Sequence, residues 1–161
     1  IANGFDNSAL KILKTKKNVR LIDGTNYTSE ELLKFVSFNQ NIMIQSEDLN
    51  LFSTKNFKIV SKRKPTSKQL KDLIFAFNVC RYVKSNAIVL ASNETTVGIG
   101  SGQPSRLDSC QIAINKMKKF NLQNDNLVAA SDAFFPFVDG IEKLVQSGVR
   151  AVVQPLSLIH I

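Results

Sequence analysis

The sequence predicts a layered α/β fold with a mostly parallel or mixed sheet. From residue 87 onward, short apolar runs alternate with segments that have helical spacing. Hydrophobic residues make up 43% of the chain and no low-complexity tract interrupts them, which indicates a folded globular core. Apolar strands that alternate with helices favour a sheet covered by helices.

The first elements are a helix and a strand. Residues 6–17 are predicted to be helical because Asp6 suits the N-cap and apolar residues follow it at helical spacing. Residues 18–22 then read as a strand.

The region that follows leaves one alternative open. Thr28 begins a capping-box pattern that would start a helix, but Leu33–Phe38 is equally acceptable as a strand. Residues 41–45 and 57–61 are predicted strands because they are rich in β-favouring side chains.

A second capping-box pattern, at residues 66–69 after Pro65, predicts a helix that ends near Lys84. Apolar residues occupy most of its faces, so we expect it to be buried. The later elements follow from the alternation of apolar runs and helical spacing: strand 87–91, turn 92–95, strand 96–99, helix 104–119, strand 127–130, helix 138–147 and strand 149–154, with Gly148 at the helix end.

Charge and hydropathy exclude two classes of protein. The net charge is +8, but the lysines are scattered along the chain instead of forming a basic patch with interleaved aromatic residues. We therefore predict no nucleic-acid partner, and solvated faces that attract small anions. No apolar run approaches the roughly 20 residues that span a bilayer, so no membrane insertion is expected.

The cysteines and the first residue indicate cellular context. Cys80 and Cys110 lie in apolar helical patterns without CxxC spacing, which predicts buried free thiols in a reducing compartment. The chain begins with Ile1 and with neither an initiator Met nor a leader, so we expect an internal fragment.

A glycine-rich stretch is the first candidate site. Gly98, Gly100 and Gly102 lead into residues 103–106, where Gln103 and Arg106 supply an amide and a guanidinium beside a helix start. The spacing fits neither the dinucleotide fingerprint nor a P-loop. Two interpretations stay open: a loop that contacts a ligand, or a tight strand-to-helix connection.

An aromatic loop, residues 134–137, is the second candidate. Three phenylalanines between a strand and a helix suit the wall of a pocket for a flat ligand, although a loop plugged into the core is the alternative. Asp139 fits the first turn of the next helix. Because ligands bind at the carboxyl ends of strands, we expect Asn86, Arg106 and the 131–132 loop to gather there.

The sequence lacks residues that several kinds of catalytic site require. His160 is the sole histidine, so neither a zinc-deaminase constellation nor a Ser-His-Asp triad can be assembled. Carboxylates are the only evident candidates for a general base in the sequence.

Long motifs resemble the formyltransferase part of the bifunctional purine-biosynthesis family. The similarity covers residues 1–155 and is densest in three stretches: residues 84–89, residues 98–106 and residues 132–137.

The resemblance implies a cytidine-deaminase-like layered α/β fold without zinc. It also implies formyl transfer from 10-formyltetrahydrofolate to the 5-amino group of aminoimidazole carboxamide ribotide (AICAR). The parent would be a cytoplasmic homodimer that carries IMP cyclohydrolase as well.

The resemblance further assigns roles to individual residues. Asn86 matches the family's active-site asparagine, and Ser85 and Asp132 match positions near a monovalent cation, such as potassium. The positions assigned to substrate and folate are Gln103, Arg106, Leu107, Phe134, Phe137 and Asp139.

The chain also departs from the family pattern. Val138 replaces a basic residue, and the family's Lys-His pair is absent, so we expect the isolated chain to be inactive. Residues 156–161 do not match and are expected to be foreign. A non-catalytic nucleotide-binding or regulatory module is the alternative function.

Overall fold

A computed structural model gives the architecture in two compact units, Ile1–Asn50 and Leu51–Ile161. The described residues are 1–25, 33–46, 52–119 and 126–155. The predicted capping box at Thr28 and the predicted foreign tail 156–161 both lie outside them.

The first unit begins with helix α1, Asn7–Lys14. Its predicted cap is confirmed, because the Asp6 carboxylate accepts a hydrogen bond from the Ala9 amide at 2.8 Å. The predicted strand 18–22 is wrong. The Val19 amide donates back to the Lys16 carbonyl at 3.2 Å, so the segment starts in a turn.

A β-hairpin completes the described part of the first unit. Strands β1, Leu33–Phe38, and β2, Asn41–Ser46, pair antiparallel, with Phe35 opposite Ile44. Asn39 takes a positive φ of 51° in the two-residue connection, a conformation that asparagine tolerates. The strand alternative for residues 33–38 is therefore confirmed.

The second unit contains a four-stranded mixed sheet with strand order β4-β3-β5-β6. Only β5 and β6 run parallel, whereas β3 is antiparallel to both of its neighbours. The sheet is thus mixed and not mostly parallel. Its strands are β3, Ile88–Ser92; β4, Thr95–Gly100; β5, Val128–Ser131; and β6, Ala151–Val153. The helices of this unit are α2, Ser67–Cys80; α3, Arg106–Lys119; and α4, Val138–Gln146.

Helices cover both faces of this sheet. All five residues of β3 are buried, and they alternate between two clusters. Ile88 and Leu90 pack with α3 and α4, while Val89 and Ala91 pack with α2. This three-layer arrangement explains why the central strands are continuous apolar runs.

Capping sets the start of α2. Thr66 accepts from the Gln69 amide at 3.2 Å, and the Gln69 side chain accepts from the Thr66 amide at 2.9 Å, which confirms the predicted capping box. The helix ends at Cys80 instead of near Lys84, because the next residues turn back onto its last carbonyls.

The predicted strand at residues 57–61 is wrong. Within the described part of the chain, its backbone exchanges no hydrogen bond with another segment. Ile59 and Val60 are largely exposed.

A buried carboxylate joins α2 to the β3–β4 hairpin. Asp72, on α2, is 1% exposed, and its Oδ1 accepts a hydrogen bond from the Glu94 amide at 2.7 Å. Asn93 and Glu94 both have positive φ, as expected for a two-residue hairpin turn. The predicted turn at 92–95 is confirmed.

Among the described residues, no helix is both long and apolar enough to cross a membrane. In the same residues, no three or more His, Cys, Asp or Glu side chains lie together in a way that could hold a metal ion.

Candidate functional site

Sheet topology brings three separate segments to one edge. Ile88 pairs with Gly100 of β4 and with Ser131 of β5, so the start of β3 lies beside the ends of both neighbours. Asn86, Arg106 and the 131–132 loop therefore gather as predicted. We call Ser85, Asn86, Arg106, Ser131 and Asp132 the polar network.

The Asn86 amide uses all of its hydrogen-bonding groups. Its Nδ2 donates to the carbonyls of Gln103 at 2.9 Å and Pro104 at 3.0 Å. Its Oδ1 accepts from Arg106 at 2.8 Å. Since the carbonyls of residues 103 and 104 are taken by this side chain, α3 begins at Arg106 and not at Pro104 as predicted.

The Arg106 guanidinium links three elements. One nitrogen donates to the Ser131 hydroxyl at 2.9 Å and to Asp132 at 2.5 Å, while the other reaches Asn86. The side chain is only 12% exposed. A planar fork of donors suits this convergent arrangement better than the single ammonium of lysine would.

The Asp132 carboxylate accepts three hydrogen bonds, two of them on Oδ1. Oδ1 also accepts from the Ala87 amide at 3.0 Å, and the Ser85 hydroxyl donates to Oδ2. Burial raises the pKa of Asp132, but hydrogen bonds from Ser85, Arg106 and Ala87 outweigh it and hold this pKa below its ordinary value. Asp132 is therefore an ionised anchor and a poor general base.

The monovalent cation expected near Ser85 and Asp132 stays a prediction. Arg106 forms an ion pair with Asp132, and the Ser85 hydroxyl donates its proton to the same carboxylate. A hard cation needs several oxygen ligands, and these two residues supply only part of such a set.

Two of the three glycines serve helix packing. A Cβ on Gly98 would lie 2.2 Å from the Ala113 carbonyl oxygen, and one on Gly100 would lie 1.9 Å from that of Ser109. Both glycines let α3 approach β4 closely, which supports the tight-connection interpretation. Gly102 has φ +67°, and its amide donates to the Lys84 carbonyl.

The aromatic loop divides between core and surface. Phe135 packs against the buried cluster under α3 and α4, whereas Phe137 is 73% exposed. Phe134 is half-buried. The plugged-loop interpretation therefore holds for Phe135, and Phe137 remains available as a pocket wall.

Asp139 lies in the first turn of α4, as its sequence position indicates. Its carboxylate accepts from the Gly140 amide at 2.7 Å. Within the described residues, no hydrogen bond or ion pair joins Asp139 to the polar network. Leu107 is half-buried in the first turn of α3, directly after Arg106.

The two thiols are not nucleophiles. Burial raises the pKa of Cys80 to about 12 and that of Cys110 to about 11, so both stay protonated at neutral pH. Both are free and buried, as predicted.

Sequence reasoning missed Ser109. Its hydroxyl donates to the Asn86 carbonyl at 2.7 Å, which ties α3 to the start of β3. The available signal was its spacing, because Ser109 lies three residues after Arg106 and so shares a helix face with it.

The fold and the polar network define an α/β protein with a candidate small-molecule site at the ends of its central strands. The chain belongs to the AICARFT/IMPCHase bienzyme family, whose family model matches residues 1–116. This confirms the resemblance seen in the sequence.

Two relatives show the extent of the similarity. The chain is 45% identical over 157 residues to the bifunctional purine biosynthesis protein PurH of Buchnera aphidicola subsp. Schizaphis graminum (strain Sg). It is 40% identical over 157 residues to the PurH of Persephonella marina (strain DSM 14350 / EX-H1). Each match covers 96% of this chain and 30% of the relative, so the chain spans less than a third of their length.

Proposed function

We propose that this chain contributes part of the site at which a formyl group passes from 10-formyltetrahydrofolate to the 5-amino group of AICAR. The observation that carries the proposal is the polar network: the segments with the densest family resemblance converge on it. The longer protein would make IMP in purine biosynthesis and carry cyclohydrolase activity too.

In this proposal Asn86 acts by positioning. Its amide fixes the carbonyls of residues 103 and 104 and orients the Arg106 guanidinium. Correct orientation of two reactants is worth several powers of ten in rate, so a small shift of this loop would be costly.

The folate would lie against the exposed side of the aromatic loop. Phe137 offers an uncovered ring, Phe134 and Leu107 offer partly covered apolar surface, and Asp139 offers an exposed carboxylate for an amino-substituted ring edge. Gln103 and Arg106 would bind from the other side. Potassium is not part of the proposal, because Arg106 already neutralises the Asp132 carboxylate.

We also propose the cytidine-deaminase-like arrangement, a homodimer and a cytoplasmic setting for the longer protein. The mixed sheet with helices on both faces supports the first of these. The isolated chain should be inactive, since its described site contains no group suited to accept the proton from the amine.

A chimera tests the function. Residues 1–155 would replace the matching segment of the Buchnera PurH, and formyl transfer to AICAR would be measured with and without Asn86→Ala. We expect turnover to fall roughly a hundredfold because orientation is lost.

Asn78→Ala is the matched control. The side-chain amide of Asn78 also forms hydrogen bonds with backbone groups, those of Phe52 and Ile74, but Asn78 is not part of the polar network. Equal activity losses in the two variants would assign Asn86 a structural role only and would contradict the proposal.

The alternative of a nucleotide-binding module gains no support from the glycine stretch. The backbone of α3 occupies the space beside Gly98 and Gly100, so these two glycines leave no room for a phosphate group.

A further inference from the structure

The Ser131 hydroxyl joins the polar network to the aromatic loop. Ser131 is the last residue of β5 and is completely buried. Its oxygen accepts a hydrogen bond from the Arg106 guanidinium at 2.9 Å and donates one to the Ala133 carbonyl at 2.7 Å. Ala133 directly precedes the aromatic loop, so this one side chain touches both parts of the candidate site.

Donor and acceptor chemistry fixes the direction of these two hydrogen bonds. A guanidinium has donors only, so the Ser131 oxygen must meet Arg106 with a lone pair. The single hydroxyl proton is then directed at the Ala133 carbonyl, which can only accept. Because Ser131 is buried, bulk water cannot replace either partner. The restraint on the Ala133 carbonyl therefore depends on where the guanidinium lies.

The aromatic loop is held on either side of Phe134. On one side, Ser131 holds the Ala133 carbonyl. On the other, the Phe135 amide donates to the side-chain oxygen of Gln154 at 2.9 Å, and the Phe135 ring packs on the core. Loss of either restraint would free the backbone next to Phe134. The position of this half-buried ring thus depends on the Ser131 hydroxyl.

We propose that Ser131 is a positioning residue, which sets the aromatic loop according to the orientation of Arg106. This inference rests on the proposed function, in which the loop forms a wall for the folate. Since Ser131 is buried, it acts through the Ala133 carbonyl and not by touching a reactant. A ligand that reorients the guanidinium would also change the restraint on the loop.

Hydrogen exchange on the 161-residue chain tests the link without an assay of activity. Ser131→Ala should speed exchange of the Phe135 amide at least roughly tenfold relative to that of Ala129 in β5, because the loop then opens locally. Ser109→Ala is the matched control, since Ser109 is also completely buried and donates to a backbone carbonyl, that of Asn86, at 2.7 Å.

The control should leave the ratio of the two exchange rates within about twofold of its original value. An equal change of this ratio in both serine variants would overturn the proposal. So would an unchanged ratio in Ser131→Ala, or a Phe135 amide that is unprotected in the unsubstituted chain.

A double-mutant cycle separates an effect through Arg106 from a purely local one. Arg106→Gln removes the guanidinium and leaves a shorter side chain, so it should also speed exchange at Phe135. In that background Ser131→Ala should have less than about a third of its original effect, because Arg106 no longer directs the hydroxyl. Additive effects of the two substitutions would contradict the coupling.

Kinetics of the chimera test the consequence for the proposed function. Ser131→Ala should raise KM for 10-formyltetrahydrofolate roughly five- to tenfold, while KM for AICAR and kcat change less than about threefold. An equal rise in both KM values would assign Ser131 a general structural role and contradict the proposal. A raised exchange ratio with an unchanged folate KM would support the link and reject the loop as the folate wall, which distinguishes the two failures.

Discussion

The polar network and the aromatic loop are two parts of one candidate site, and they are built in opposite ways. In the network, Asn86, Arg106 and Asp132 satisfy one another inside the chain. At the end of the aromatic loop and the start of α4, Phe137 and Val138 are 73% and 71% exposed. The first part is organised before any ligand arrives, whereas the second is a surface that a ligand or another segment would cover.

The most disruptive test of this comparison is Gly100→Ala. A Cβ there would lie 1.9 Å from the Ser109 carbonyl oxygen, and neither backbone can move without displacing α3 and with it Arg106. We expect a loss of about 3 kcal/mol or more in the free energy of unfolding, measured in urea. Gly148→Ala is the control: it meets nothing within 4 Å and costs only the strain of φ +100°, about 1 to 2 kcal/mol. Equal losses would contradict the close-approach argument.

Arg106→Gln removes the centre of the network. It leaves acceptors on Asn86 and Asp132 without their donor, which should cost roughly 2 kcal/mol. Asp139→Asn, in the first turn of α4 just after the aromatic loop, should change the free energy of unfolding by no more than about 0.5 kcal/mol. A double-mutant cycle of Arg106→Gln with Asp132→Asn would measure the coupling, and additive losses would mean that the pair does not interact.

Acid should weaken the network through Asp132. Its pKa is lowered in the folded state, so its contribution is complete above the ordinary pKa of 3.8 and is lost as pH falls through the folded-state pKa. Between about pH 5 and pH 2, the unsubstituted chain should therefore lose more stability than Asp132→Asn does. Parallel stability curves from thermal unfolding at several pH values would contradict this.

The smallest effect on stability is expected from Phe137→Ala. Because the ring is exposed, the melting temperature should barely change, while in the chimera KM for 10-formyltetrahydrofolate should rise. Phe135→Ala removes a ring packed on the core and should cost roughly 2 kcal/mol or more. An unchanged KM with Phe137→Ala would remove this residue from the proposed folate site.

The sequence predicted the features that depend mainly on neighbouring residues. The caps at Asp6 and Thr66 are examples, because a cap needs only the next three residues. The convergence of Asn86, Arg106 and Asp132 was also predictable, since strand ends in a layered sheet meet at shared edges.

Features that depend on distant partners were not predictable in the same way. Residues 57–61 have strand propensity, but a strand exists only where a neighbour pairs with it, and no local pattern reveals that neighbour. Likewise the sequence could not say that Gly98 and Gly100 face the backbone of α3, because that contact joins residues 9 to 15 positions apart through the fold.

The hydrogen bond from the Glu94 amide to buried Asp72 makes that amide a natural reporter. Glu94 lies in an exposed turn, where amides usually exchange with solvent within seconds. Its acceptor, however, is the buried carboxylate of Asp72 on α2. Exchange at Glu94 therefore requires α2 to separate from the hairpin. The hydrogen-exchange rate of the Glu94 amide, read from one NMR resonance, would therefore report how often α2 separates from the hairpin.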